Sequence, residues 1–148
     1  MSEATGEAAV LATLRLATGF SSTNTALANW KLLNTGKDDH YGIVKAGPFT
    51  RESSSALGSY DATWSTVVEV WQRYKNDVDS YTSLRTHIDN VIAKFDAYPQ
   101  LGDVVFDSMI TEGGEVEEMW RENSDGPSWL KRDLTVTWQE YTNPTFAG

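Results

Sequence analysis

The amino-acid sequence predicts an α+β fold, in which a sheet of about four mainly antiparallel strands packs one face against a long helix. Two neighbouring segments indicate this fold. Residues 63–74 are rich in Val, Thr and Trp, which is typical of a strand. Residues 76–99 then carry apolar side chains at steps of three and four, which is typical of an amphipathic helix. We expect one domain over residues 1–148.

The N-terminal third combines a predicted short helix with a less regular segment. Residues 7–18 place Val10 and Leu14 at helical spacing, and Gly19 can end that helix. Residues 26–33 fit either a turn of helix or the start of a strand, and we expect Trp30 to anchor them. Residues 41–46 read as a strand that Gly47 and the following proline end.

Residues 49–60 are predicted to form a long connection between two strands, because Ser, Gly and charged residues dominate them. Connections of this length in compact domains are often functional. The strand over residues 63–74 then presents large apolar groups on both faces, which predicts a central strand covered on both sides. One face carries Trp64, Thr66, Val68, Val70 and Tyr74, and the other carries Val67, Glu69 and Trp71.

The second half contains the clearest helix and two further strands. Asn76 or Asp77 can cap the helix, Lys94 suits its last turn, and Pro99 marks its end. Its apolar stripe comprises Tyr81, Leu84, Ile88, Val91, Ile92 and Phe95. Strands are predicted over residues 103–111 and 129–141, with an acid-rich loop between them. Residues 142–148 are expected to form a loose tail.

The composition excludes several classes of function. The chain has no cysteine, so disulfides, thiol catalysis and Cys-ligated zinc are excluded. Its net charge of −9 disfavours attraction to nucleic acid, whose phosphates bind Lys and Arg. No run of eighteen apolar residues exists, so no membrane span is expected. The first residues lack the basic region of a secretory signal.

Candidate chemical groups are few, and each favours a structural interpretation. His87 is predicted to be solvated, because its helical neighbours are Thr and Asp. Asp38, Asp39 and His40 are adjacent on an extended chain, so they point to alternating sides and chelate a metal poorly. Glu69 is a carboxylate on the central strand, and Arg73 or Lys131 could neutralise it.

The acidic run over residues 112–122 lacks the alternating ligands of a calcium-binding loop, so a solvated charged hairpin is expected. The chain has no phosphate-binding glycine loop and no hydrolase motif. No feature predicts catalysis, and we expect neither an enzyme nor a cofactor. Six Trp and six Tyr exceed what one small core needs, which favours assembly into a larger structure.

Residues 64–141 resemble the tail terminator, or tail-completion, proteins of long-tailed bacteriophages. The resemblance lies in the order of segments: the strand "VVEVWQRY", the helix "NDVDSYTSLRTHIDNVIAKF", the segment "AYPQLGDVVFDSMI", an acid-rich loop and the closing strand "KRDLTVTWQEY". In that closing strand Leu134, Val136 and Trp138 alternate with polar residues, as in the family. The N-terminal helix and the strand over residues 41–46 fit more loosely.

The resemblance implies a structural protein of the virion, made in the host bacterial cytoplasm. Proteins of this family form a six-membered ring at the head-proximal end of the tail tube. The ring stops tube growth and contacts the tail tube protein and a head-closure protein. DNA passes through its channel without specific binding. The resemblance implies no catalytic residue, no cofactor and no membrane contact.

Three groups of residues are candidate interaction sites in such a ring. The acidic loop, which would face the channel or the next ring, comprises Glu112, Glu115, Glu117 and Glu118, since like charge lets DNA slide. The candidate tube-contacting loop comprises Phe49, Thr50, Arg51, Glu52, Leu57 and Tyr60. The candidate subunit interface comprises Val67, Glu69 and Trp71, because heterologous rings need two different surfaces on each copy.

Three other functions remain open from the sequence. One is a stand-alone binding module, which would be a stable monomer that never joins a particle. A head-closure or neck connector protein is also small and ring-forming, and composition does not separate it from a tail terminator. A small enzyme with a carboxylate site around Glu69 belongs to a different class.

Overall fold

The structure is a computed structural model that describes residues 3–35, 37–53, 60–102, 104–105, 107–120 and 127–142. Of these, residues 51–53, 60–61 and 140–142 are described as backbone only. Two α-helices are present in this part, α1 (Glu3–Leu14) and α2 (Asp77–Ala97), with a 3₁₀ helix at Trp30–Thr35. The strands are β1 (Thr25–Leu27), β2 (His40–Ser53), β3 (Tyr60–Arg73), β4 (Asp107–Gly113), β5 (Glu117–Trp120) and β6 (Pro127–Thr142). Neither helix is long and apolar enough to cross a membrane.

All six strands belong to one mixed sheet, with the order β1-β2-β3-β6-β4 and β5 also paired with β6. Only β1 and β2 are parallel among these pairs. The α+β class is confirmed, whereas the predicted number of about four strands is wrong. Two strands were not assigned, for physical reasons. With three residues, β1 is so short that its segment fitted either a turn of helix or the start of a strand, and β5 lies in the acid-rich segment, where no apolar alternation marks a strand.

The predicted connection over residues 49–60 lies in strands wherever the structure describes it. Gly47 and Pro48 do not end β2, because the pairing with β3 skips them and resumes at Phe49 opposite Trp64. Such a bulge tolerates a proline, which has no N–H to donate. The predicted loop residues that instead lie in β2 or β3 are Phe49, Thr50, Arg51, Glu52 and Tyr60. Leu57 lies outside the described residues, as does the predicted tail beyond Thr142, which itself ends β6.

The central position of β3 is confirmed, since it pairs with β2 on one side and β6 on the other. Its two faces contact different sets of side chains, as the sequence predicts. On one face Val68 and Val70 pack in the main core beneath α1 and α2. On the other, Trp71 packs with Tyr41 and Ile43 in a smaller cluster, against Leu32 and Leu33 of the 3₁₀ helix.

The long helix α2 matches its prediction closely. The side chain of Asn76 accepts a hydrogen bond from the Asp79 N–H at 2.9 Å and caps the helix. The side chains of Leu84, Ile88 and Phe95 are buried along the predicted stripe. Burial of these apolar groups against the sheet is the dominant stabilising term for such a helix.

The N-terminal helix α1 begins and ends four residues earlier than predicted. After Leu14 the hydrogen bonds tighten to a three-residue spacing, from Leu16 N–H to Thr13 O and from Ala17 N–H to Leu14 O, both at 3.0 Å. This tight turn exposes Leu16 and directs Ala17 into the core. The apolar residues beyond Leu14 therefore belong to a turn, although their spacing resembles a helix.

An aromatic row crosses the sheet where α1 packs on it. The ring of Trp138 is buried, and its Nε1–H donates to the Thr66 hydroxyl at 3.0 Å. Its centroid lies 5.6 Å from that of Trp64, which in turn lies 4.7 Å from the exposed ring of Phe49. At Gly6 of α1 a Cβ atom would overlap the six-membered ring of Trp138. The helix can approach the sheet this closely only because residue 6 has no side chain.

We expect Gly6→Ala to lower the free energy of unfolding by about 2 kcal/mol, because overpacking outweighs the better helix propensity of alanine. Chemical denaturation measures this change. In a Trp138→Phe background, which removes the overlapping ring, the same substitution is expected to cost little. Equal costs in both backgrounds would contradict the assigned contact.

Candidate functional site

Glu69 is the most enclosed charged group among the described residues. Its Oε2 lies 2.8 Å from Lys45 Nζ and 3.4 Å from Lys131 Nζ. Its Oε1 accepts hydrogen bonds from Trp30 Nε1 at 2.6 Å and from Trp71 Nε1 at 3.1 Å. The carboxylate side chain is 3 % exposed. Both oxygens are therefore occupied by donors from four different segments of the chain.

The predicted partner Lys131 is confirmed, but Arg73 is not a partner of Glu69. The Arg73 guanidinium lies 4.5 Å from the ring centroid of Trp129 instead. Lys45 was not foreseen, because it belongs to β2 and only the β2–β3 register brings it near Glu69. Trp30 was expected to anchor its segment, and it does so through this hydrogen bond rather than by full burial.

The surroundings of Glu69 favour its charged form. Burial raises the pKa of its carboxyl, but the hydrogen bonds from Lys45 and Trp30 and the charge of Lys131 outweigh burial and leave the pKa below its ordinary value. A general acid at neutral pH needs the opposite shift. The cluster is thus an internal ion cluster in which the ionised form of the carboxyl is favoured.

We expect Glu69→Gln to lower the free energy of unfolding by about 2 kcal/mol, because the neutral amide no longer pairs with Lys45 and leaves Lys131 only its contacts with Asp133 and Glu117. Denaturation at pH 7 measures the loss. Glu117 is a matched control, since it is exposed and lies 3.5 Å from Lys131. Glu117→Gln is expected to cost less than about 0.5 kcal/mol. Similar costs for the two variants would contradict the assignment.

His87 is half-buried, so the prediction of a solvated side chain is wrong. Its ring stacks on that of His40, with centroids 3.8 Å apart and planes at 14°. Phe20 contacts both rings edge-on. His40 Nε2 also hydrogen-bonds to the Gly19 carbonyl oxygen. The only two histidines of the sequence therefore join α2 to the start of β2 and to the turn after α1, a contact that local sequence does not reveal.

The His87 ring is held in its neutral form. Burial, and secondarily His40, lower its pKa from 6.5 to about 4, and its buried Nδ1 has no hydrogen-bond partner among the described residues. Asp39 pairs with Lys75 at 2.9 Å while His40 stacks on His87, so the adjacent residues 38–40 diverge. The described residues contain no group of three or more metal-ligating side chains.

The lowered pKa of His87 predicts that the protein loses stability in mild acid. The unfolded chain binds a proton there below about pH 6.5, whereas the folded chain excludes it until about pH 4. This contribution is thus full above pH 6.5 and falls by about 2 kcal/mol as the pH drops toward 4. We expect His87→Phe to flatten the pH dependence of unfolding in this window. Arg85→Gln, on an exposed position of the same helix, should leave it unchanged; an unchanged slope in His87→Phe would contradict the prediction.

The acidic segment forms the outer edge of the sheet rather than a loop. Both β4 and β5 run antiparallel to β6, and residues 114–116 interrupt them. At this break the Gly114 N–H donates to Asp133 O at 2.8 Å, and Arg132 Nε donates to Gly114 O at 2.7 Å. These two hydrogen bonds to the backbone of Gly114, which carry no apolar signature in the sequence, hold the edge in place.

The four candidate acids of this segment have different environments. Glu117 faces Lys131, and Glu118 on the opposite face accepts a hydrogen bond from the Tyr81 hydroxyl at 3.1 Å. Glu112 and Glu115 are exposed, and neither forms an ion pair with the residues that the structure describes. Beside them the large apolar side chains of Met109, Met119 and Trp120 are 59 %, 38 % and 57 % exposed.

The other candidate residues differ in how much surface they offer. Of the predicted interface residues, Val67 is half-exposed, whereas Glu69 and Trp71 are buried beneath the 3₁₀ helix. Those two therefore present no free surface to a neighbouring subunit. Phe49 and Thr50 are exposed on β2.

Comparison with known proteins does not assign the chain to a family. No protein-family model matches it, and no curated protein matches it significantly.

Proposed function

We propose that this chain is a structural subunit of a bacteriophage tail. It forms a six-membered ring on the head-proximal end of the tail tube, stops tube growth and joins the tail to the head. It works without a cofactor and without catalysis. Its partners are further copies of itself, the tail tube protein and a head-closure protein.

The observation that supports this proposal most is the outer edge formed by β4 and β5. The outer strands of a sheet carry backbone groups that their own sheet does not pair, and these groups can contact other chains. This edge carries exposed Met109, Met119 and Trp120 among acidic residues. Exposed apolar groups rimmed by charge are characteristic of protein–protein contacts.

The arrangement of the remaining elements also supports the proposal. The strand, helix and acidic edge follow one another in the order on which the resemblance to tail terminators is based. The exposed Glu112 and Glu115 suit a surface near DNA, because carboxylates repel phosphates. Phe49 and Thr50, at the far end of the β2–β3 pair, remain our candidates for contact with the tube.

Deletion of this chain from a phage that encodes it tests the proposal. Electron microscopy of the lysate is expected to show filled heads separated from tails of uneven, abnormal length. Uneven tails are expected because nothing would stop the growth of the tube. Expression of the intact chain from a plasmid is the control, and it should restore joined particles.

Two other outcomes would contradict the tail-terminator function. Normal tails beside heads that have lost DNA would make the chain a head-closure or neck connector protein. Normal infectious particles would remove it from the essential virion structure. If Glu69→Gln then abolished turnover of a substrate while the fold stayed intact, the result would indicate a small carboxylate enzyme.

A further inference from the structure

The two ends of the sheet are chemically opposite. At one end, β4, β5 and the residues between them present exposed apolar side chains together with the exposed carboxylates of Glu112 and Glu115. At the other end lies β1, which pairs only with β2 among the described strands. The two surfaces are called here the acidic edge (Asp107–Gly113 and Glu117–Trp120, with the residues between them) and the basic edge (Thr25–Leu27 with Arg15, Trp30 and Lys31).

The basic edge combines cations with exposed apolar surface. Arg15 Nε donates to the Thr25 hydroxyl at 2.8 Å, which places this exposed arginine on β1. Lys31 follows shortly after the strand and is exposed. Leu27 and Trp30 are each 42 % exposed. Arg15 and Lys31 thus give this edge two exposed cations in a chain whose net charge is −9.

Opposite charge on the two edges selects the way in which copies can meet. If two acidic edges met about a two-fold axis, Glu112 and Glu115 of both copies would approach each other, and such like-charge contacts are unfavourable. An acidic edge against a basic edge brings carboxylates to cations and apolar groups to apolar groups. Because the two surfaces are different, this contact is heterologous, and a heterologous contact closes into a ring when its rotation permits.

We propose that the acidic edge of one copy docks on the basic edge of the next, so that the sheets follow one another around the ring. This inference rests on the proposed function for its partner, a second copy of this chain. The edges themselves are assigned from their exposure and charge alone.

Cysteine cross-linking tests the contact, and the chain is suited to it because it has no native cysteine. The purified variant that carries both Lys31→Cys and Glu115→Cys is incubated at high concentration with a short bis-maleimide. Covalent ladders beyond the dimer are expected, ending in a closed hexamer. Each single variant should give at most traces of dimer. Pairing Glu115→Cys with Ala93→Cys, on an exposed position of α2, is the matched control and should give no ladder.

Charge exchange in the double-cysteine variant tests whether the ladder depends on complementary edges. Glu112→Lys alone and Arg15→Glu alone are each expected to lower the yield of ladder about tenfold, because each brings like charges together. The two reversals combined restore opposite signs and should recover most of the yield. A combined loss equal to the product of the single losses would overturn the assignment.

The remaining outcomes separate this inference from the proposed function. Strong dimers from Glu115→Cys alone would establish a two-fold contact and overturn the inference, as would the absence of any ladder. Both results leave the deletion experiment free to establish a tail terminator that closes its ring through other surfaces. If the ladder forms but the phage that lacks this chain still gives normal infectious particles, the edge contact stands and the tail function is rejected.

Discussion

The pairing of β3 along its whole length is the constraint on which the other elements depend. This strand of 14 residues hydrogen-bonds to β2 on one side and to β6 on the other. Its apolar groups point in both directions, so each face must be covered to remove them from water. The two α-helices cover one face, and the 3₁₀ helix covers part of the other. The layers of the protein follow from this single strand.

The ion cluster around Glu69 adds a requirement of register to that constraint. A shift of β3 by one residue would turn this carboxylate from its lysine and indole partners into the apolar core beneath the helices. Burial of an unpaired charge there is strongly unfavourable. Because the donors come from β2, β6, β3 itself and the segment after β1, the cluster selects one alignment of several elements at once. A purely apolar cluster on this face would specify the alignment less sharply.

Periodic segments could be predicted from the sequence, and contacts between distant segments could not. The helix α2 and the alternating Leu134, Val136 and Trp138 have patterns that repeat over many residues, and both predictions are confirmed. By contrast, β5 has no apolar alternation. Only its backbone pairing with β6 identifies it as a strand, and the sequence does not show that pairing.

The errors at the candidate sites have the same physical origin. The bulge at Gly47 and Pro48 mimics the end of a strand locally, although β3 continues to pair beyond it. His87 looked solvated because its sequence neighbours are polar, whereas Phe20 and His40 reach it from other segments. Lys131 was predicted beside Glu69 on charge alone, but Lys45 needed the register of β2. The side-chain pattern of a segment indicates which helix or strand the segment forms. Its contacts with distant segments depend on how the elements pair in the folded chain.

The aromatic row from Phe49 through Trp64 to Trp138 has a consequence for how distant parts of the chain communicate. Stacked rings transmit displacement well, because a close-packed interior has little free volume to absorb it. Phe49 lies at the accessible end of this row, and α1 presses on the other end at Gly6. Phe49 and the first helix are therefore joined by ring contacts that bypass the loops between them. The row forms a continuous aromatic line across the sheet, and its two stacked indoles give that line a near-ultraviolet signal that depends on tertiary packing.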